Sequence, residues 1–86
     1  MKDTRKLNEY RNRIEALSHD ILALVEKRAY VAHLIAKVKK EHSLAVVDEK
    51  REQALLSRLQ ARTNLPKALV EDLFEVIIKH SRNIQR

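Results

Sequence analysis

The sequence predicts an all-α protein, and three observations carry that prediction. Its 86 residues include no glycine and one proline, so a β fold would lack the residues that make its turns. Charged residues make up 35% and aromatics 3%, which suits long helices better than packed sheets. From Leu7 the apolar residues recur at alternating steps of three and four: Leu7, Tyr10, Ile14, Leu17, Ile21, Leu24, then Arg28, then Val31, Ile35 and Val38.

That stripe predicts a first helix over residues 4–40, with Asp3 or Thr4 as its cap and a length of about 55 Å. Its outer face carries pairs such as Glu9 with Arg13, four residues apart. Residues 41–47 break the heptad and read as a connecting loop. Asp48 caps a second helix over residues 49–61, with Leu55, Leu56 and Leu59 inward. The run Thr63-Asn64-Leu65-Pro66 marks the next boundary, with Pro66 in the first turn of a third helix. That helix extends to about residue 85, with Val70, Leu73, Phe74, Ile77 and Ile78 inward. No repeat or flexible linker divides the chain, so residues 1–86 read as one helical domain.

A 55 Å helix is too long for a small globular monomer to bury. The second and third helices together have roughly its length and can cover one side of it. An intertwined antiparallel homodimer covers the other. A parallel coiled coil competes, but it leaves the two shorter helices without a task.

Several function classes drop out. Cysteine is absent, which removes disulfides, thiolate metal sites and a thiol nucleophile. The first residues are polar, and no apolar run approaches the roughly 20 residues that cross a bilayer. The expectation is a soluble, cytoplasmic protein without a membrane partner. His19, His33, His42 and His80 show no ligand spacing, so no metal is expected. No glycine-rich loop and no nucleophile with its base is evident, and no cofactor is expected. The net charge of +6 favours an acidic partner, but basic and acidic residues are interleaved and the only aromatics are Tyr10, Tyr30 and Phe74. Nucleic acid is therefore not expected as the partner. Any chemistry must work by positioning and electrostatics.

The informative residues are polar ones on apolar stripes. Arg28 stands where an aliphatic belongs, and a charge there is costly unless something pairs with it. Glu52 lies on the stripe of Leu55, Leu56 and Leu59, while Ser81 and Gln85 extend the stripe of the third helix. Lys39 follows Arg28 by eleven residues, or three turns plus about 20°, so the two point the same way, about 16 Å apart. Between them they can hold a small dianion. Arg11 is about 25 Å from Arg28 on the same helix, too far to share one small ligand. In an antiparallel dimer crossing near Leu22 or Ala23, the second chain's Arg11 lies opposite position 34, between Arg28 and Lys39. Plainer readings stand beside these. Arg28 pairs with Glu52; Lys39 complements the helix dipole; Arg11 and Arg51 are surface charges; Asp48 is only a cap; Ser81 and Gln85 lie on a fraying end.

A group of segments at fixed order and spacing resembles the all-helical class of chorismate mutase. They are Arg11-Asn12-Arg13-Ile14-Glu15-Ala16-Leu17, Leu22-Ala23-Leu24-Val25-Glu26-Lys27-Arg28, Lys37-Val38-Lys39, Asp48-Glu49-Lys50-Arg51-Glu52, and the run from Leu73-Phe74 through His80-Ser81 to Gln85. The resemblance implies an intertwined homodimer of three-helix chains with two active sites, each borrowing an arginine from the partner. It implies a Claisen rearrangement of chorismate to prephenate in the shikimate pathway, on the route to phenylalanine and tyrosine. By position, the partner's Arg11 and Arg28 bind the two carboxylates. Lys39 and Gln85 donate to the ether oxygen. Glu52 and the region of Asp48 take the ring hydroxyl. Arg51 supports the carboxylate side, and Ser81 adds a carboxylate contact. Arg82 has no role in this pattern, and no segment for feedback by an aromatic amino acid is expected. Two alternatives remain: isochorismate pyruvate lyase on the same fold, and a basic helical binding module without catalysis.

Overall fold

The computed structural model describes residues 4–86. Three helices follow in order: α1 (Thr4–Glu41), α2 (Glu49–Ala61) and α3 (Lys67–Gln85). No strand occurs among the described residues. The all-α expectation holds, and each helix lies within about a residue of its expected span. The cap expected at Asp3 lies outside the described residues.

Local chemistry sets the ends. Ser43, just past α1, takes the left-handed conformation at φ 54°. There its N–H donates to Lys40 O at 3.3 Å, and the Leu44 N–H donates to Lys39 O at 2.8 Å. These two bonds form a Schellman cap, built on serine because the chain has no glycine. The Asp48 side chain accepts from the Arg51 N–H at 3.1 Å and so opens α2. Pro66 sits one residue before α3, with φ −55° and ψ 139°, rather than in its first turn. Its carbonyl still accepts from the Val70 N–H at 3.2 Å, which closes that turn. The expected Glu9–Arg13 pair does not form. The Arg13 guanidinium instead lies 5.7 Å from the centre of the Tyr10 ring.

α3 packs against both other helices, and α1 and α2 meet only through it. The α1 face that loses solvent consists of Val25, Arg28, Ala29, Ala32, Ala36 and Lys39. The alanines let α3 approach closely, with Val70, Phe74, Ile77 and Ile78 as its covered side chains. Among the described residues, only Ala32 and Val70 are buried. This face is turned from the expected heptad seam, whose Val31, Ile35 and Val38 remain exposed. Leu73, expected inward, is 45% exposed and joins Leu69 and Val76 in an open stripe along α3.

Every residue from 4 to 24 is exposed, because neither short helix reaches that half of α1. The chain is a rod of 63 × 24 × 16 Å with a radius of gyration of 17.4 Å. A compact chain of this length would have a radius of about 12 Å. Among the described residues, no helix is long and apolar enough to cross a membrane.

Candidate active site

The covered half of α1, the start of α2 and the last turns of α3 enclose a half-open cavity of about 420 Å³. That volume suits a small molecule. Arg28, Lys39, Asp48, Arg51, Glu52, Ser81 and Gln85 all line it, among apolar walls that include Ile35, Leu55 and Ile78. Seven of the eight candidate positions therefore converge. The eighth, Arg11, does not: it is exposed in the bare half of α1, and no part of this cavity touches it.

Helix geometry explains the convergence. Arg28, Ala32, Ala36 and Lys39 follow one face of α1, so the two cations reach the same cavity. Ser81 and Gln85 are four apart on α3 and project side by side. Asp48 and Glu52 are one turn apart at the start of α2, where the Glu52 N–H donates to the Asp48 carbonyl at 3.1 Å. Asp48 is both the helix cap and a lining residue.

Arg28 does not pair with Glu52. Its Nη1 donates to the Ser81 hydroxyl, so Ser81 is an ordered member of the wall rather than part of a frayed end. The Lys39 ammonium donates to the Val46 carbonyl at 2.7 Å and to Gln85 Oε1 at 2.8 Å. An ammonium only donates, so the Gln85 oxygen must face it, and the Gln85 N–H₂ is left for another acceptor. Lys39 likewise keeps its third N–H. Both cations are half-buried, and among the described residues neither has a carboxylate partner. Neutral acceptors fix their positions without cancelling their charge. Such a site favours an anion.

Glu52 pairs instead with Arg82, a residue without a role in the sequence pattern. Arg82 Nε donates to Glu52 Oε2 at 3.0 Å, and Nη2 donates to Oε1. The hydrogen bond to Glu52 raises the Arg82 pKa above the ordinary arginine value; partial burial opposes this, and the charges of Glu52 and Glu49 add to it. A signal for this pair was present. Glu52 heads the apolar stripe of α2, and Arg82 ends the stripe of Phe74 and Ile78 on α3, so opposite charges stand at matching ends of a packed helix pair. No group of three or more His, Asp or Glu side chains among the described residues is placed to hold a metal ion.

The cavity combines three cations, Arg28, Lys39 and Arg51, none paired with a carboxylate, with two carboxylates and, among the described residues, no nucleophile–base pair. Comparison with known proteins gives the chain a family. The sequence pattern of the family described as chorismate mutase type II matches residues 10–86. The chain belongs to that family. A chorismate mutase type II chain is an isomerase. The solved structure of chorismate mutase (form II) from Thermus thermophilus is similar over 93% of this chain and 93% of that one, with 26% identity and a TM-score of 0.89. A conserved hypothetical protein from Pyrococcus furiosus is similar over 94% of this chain and 96% of that one, with 32% identity and a TM-score of 0.79. No curated protein sequence matches the chain.

Proposed function

We propose that the chain, as one domain over residues 1–86, rearranges chorismate to prephenate in this cavity, within an intertwined antiparallel homodimer. The observation that carries this reading is the Lys39–Gln85 pair, whose shared hydrogen bond leaves one ammonium N–H and one amide N–H₂ side by side. Breaking the C–O bond of chorismate builds negative charge on the ether oxygen. Donors already aimed at that oxygen need little reorganisation in the transition state. Arg28 takes one carboxylate, steadied by Ser81. Arg51, at the rim, supports that side. Glu52, with Asp48 near it, accepts from the ring hydroxyl. The step is unimolecular, so confinement of the reactive conformer and electrostatics suffice, and no cofactor takes part.

The bare half of α1 supports the dimer. The accessible surface is 7631 Å². A compact chain of this mass would expose about 5300 Å². The excess is of the size that an obligate homodimer buries per subunit. With the crossing near Leu22 or Ala23, the partner's Arg11 enters between Arg28 and Lys39 and takes the second carboxylate.

The test is to incubate the purified chain with chorismate, follow loss of the diene absorbance and identify the product. Prephenate is expected. Because Gln85 is neutral and donates at any ordinary pH, the rate should hold from about pH 6 to pH 9. A folded, dimeric chain that leaves chorismate unchanged, or releases pyruvate from isochorismate instead, would replace this reading.

A further inference from the structure

Glu52 stands in the wall between two cavities. One is the site described above; the other is a groove of about 570 Å³ between α2 and α3, lined by Leu56, Phe74, Ile78 and Arg82 among others. Arg82 lines only the groove, so it grips Glu52 from behind. We infer that Arg82 is a positioning residue: its two-point pairing fixes the Glu52 carboxylate in the cavity wall and cancels the charge that Glu52 would otherwise show to a dianionic ligand. This rests on the reading of the cavity as a chorismate site.

Two arguments support it. The first is geometric. The terminal torsion of a free glutamate is broad, so an unpaired Glu52 would present its oxygens in many directions. Arg82 uses one lone pair on each oxygen through a rigid fork, which removes that freedom and leaves the other lone pairs for a ligand hydroxyl. The second is electrostatic. A dianion seeking Arg28 and Lys39 must also approach Glu52, and both members of the Glu52–Arg82 pair are half-buried, so water screens them only in part. With Arg82 behind it, Glu52 keeps one acceptor site on each oxygen and loses most of its repulsion. Adjacent residues of α3 thus act on the cavity from two sides: Ser81 holds Arg28 inside it, and Arg82 holds Glu52 from outside.

The experiment compares steady-state kinetics of Arg82→Met, Arg82→Lys, Glu52→Gln and the double variant Glu52→Gln/Arg82→Met, each shown to be folded and assayed well below its Tm. Arg82→Met should raise KM about tenfold and lower kcat by on the order of 10–100-fold. Arg82→Lys should restore most of KM but not kcat, because an ammonium supplies the charge without the fork. In the Glu52→Gln background, Arg82→Met should add little. Unchanged kcat and KM in Arg82→Met would overturn the inference. So would an equal further loss in the Glu52→Gln background, which would mean that Arg82 acts by some route other than Glu52. If the unaltered chain does not convert chorismate, the proposed activity falls, and calorimetric binding of chorismate decides the role of Arg82. Weaker binding by Arg82→Met would uphold it. Equal affinity, or no binding by either chain, would overturn it.

Discussion

Residues 4–24 and 25–41 of α1 share one apolar rhythm but sit in different surroundings. α3 lies along the second stretch, where Ala29, Ala32 and Ala36 let it come close. Among the described residues nothing lies along the first, where Leu7, Tyr10, Ile14, Leu17, Ile21 and Leu24 all face solvent. A heptad stripe therefore states that a helix needs partners without saying which face each partner takes. Inside this chain the partner takes the small side chains beside the stripe and leaves the large ones open. The two stretches also divide the candidate residues, since Arg28 and Lys39 belong to the covered one and Arg11 to the bare one.

The largest expected effect tests whether the two stretches meet across two chains. Arg11→Ala and Arg28→Ala should each cut kcat/KM by on the order of 10²–10³-fold. Mixed in equal amounts and re-annealed, they should regain about a quarter of the unaltered activity, because half the dimers are mixed and one site in each of those is intact. No recovery, with mixed dimers demonstrated, would place Arg11 outside the site. Next comes the bare stretch itself. Ile14→Asp or Ile21→Asp should dissociate the proposed dimer in sedimentation experiments and cost about 3 kcal/mol or more, because each would place a lone charge in the proposed interface. A variant that keeps its oligomeric state and Tm would show that this face is not the interface. Smaller is the effect on the covered stretch. Ala32→Leu overfills the seam against α3 and should cost about 1–3 kcal/mol in denaturant unfolding; an unchanged midpoint would mean that the seam has room. The smallest effect runs the other way. Ser43→Gly relieves a left-handed serine and should stabilise the fold by about 0.5–1 kcal/mol with kcat unchanged. A loss of stability would mean that the serine side chain matters to that cap.

The same contrast separates what the sequence made legible from what it did not. The helices were legible because their signals are local: the stripe of α1, the cap at Asp48 and the proline before α3. Arg28, Lys39, Ser81 and Gln85 were legible as polar residues on apolar stripes, since such positions demand a partner. Which partner each takes was not. Arg28 takes Ser81, 53 residues away, and Glu52 takes Arg82, 30 residues away. Choices at that range depend on how α3 settles on the other two helices. Its resting place on alanines was also hidden, because small side chains carry almost no hydrophobic signal.

Ser81, Arg82 and Gln85 all lie in the last five residues of α3, where the N–H of Arg86 closes the helix onto the carbonyls of Arg82 and Asn83. Helix ends fray, and their amides exchange with solvent sooner than those of a helix centre. Arg28 and Lys39 of α1 and Glu52 of α2 tether this end by side-chain hydrogen bonds. A ligand that binds Gln85 should therefore steady the last turn of α3 as it fills the cavity. Amide protection at residues 81–86 should then rise when the cavity is occupied.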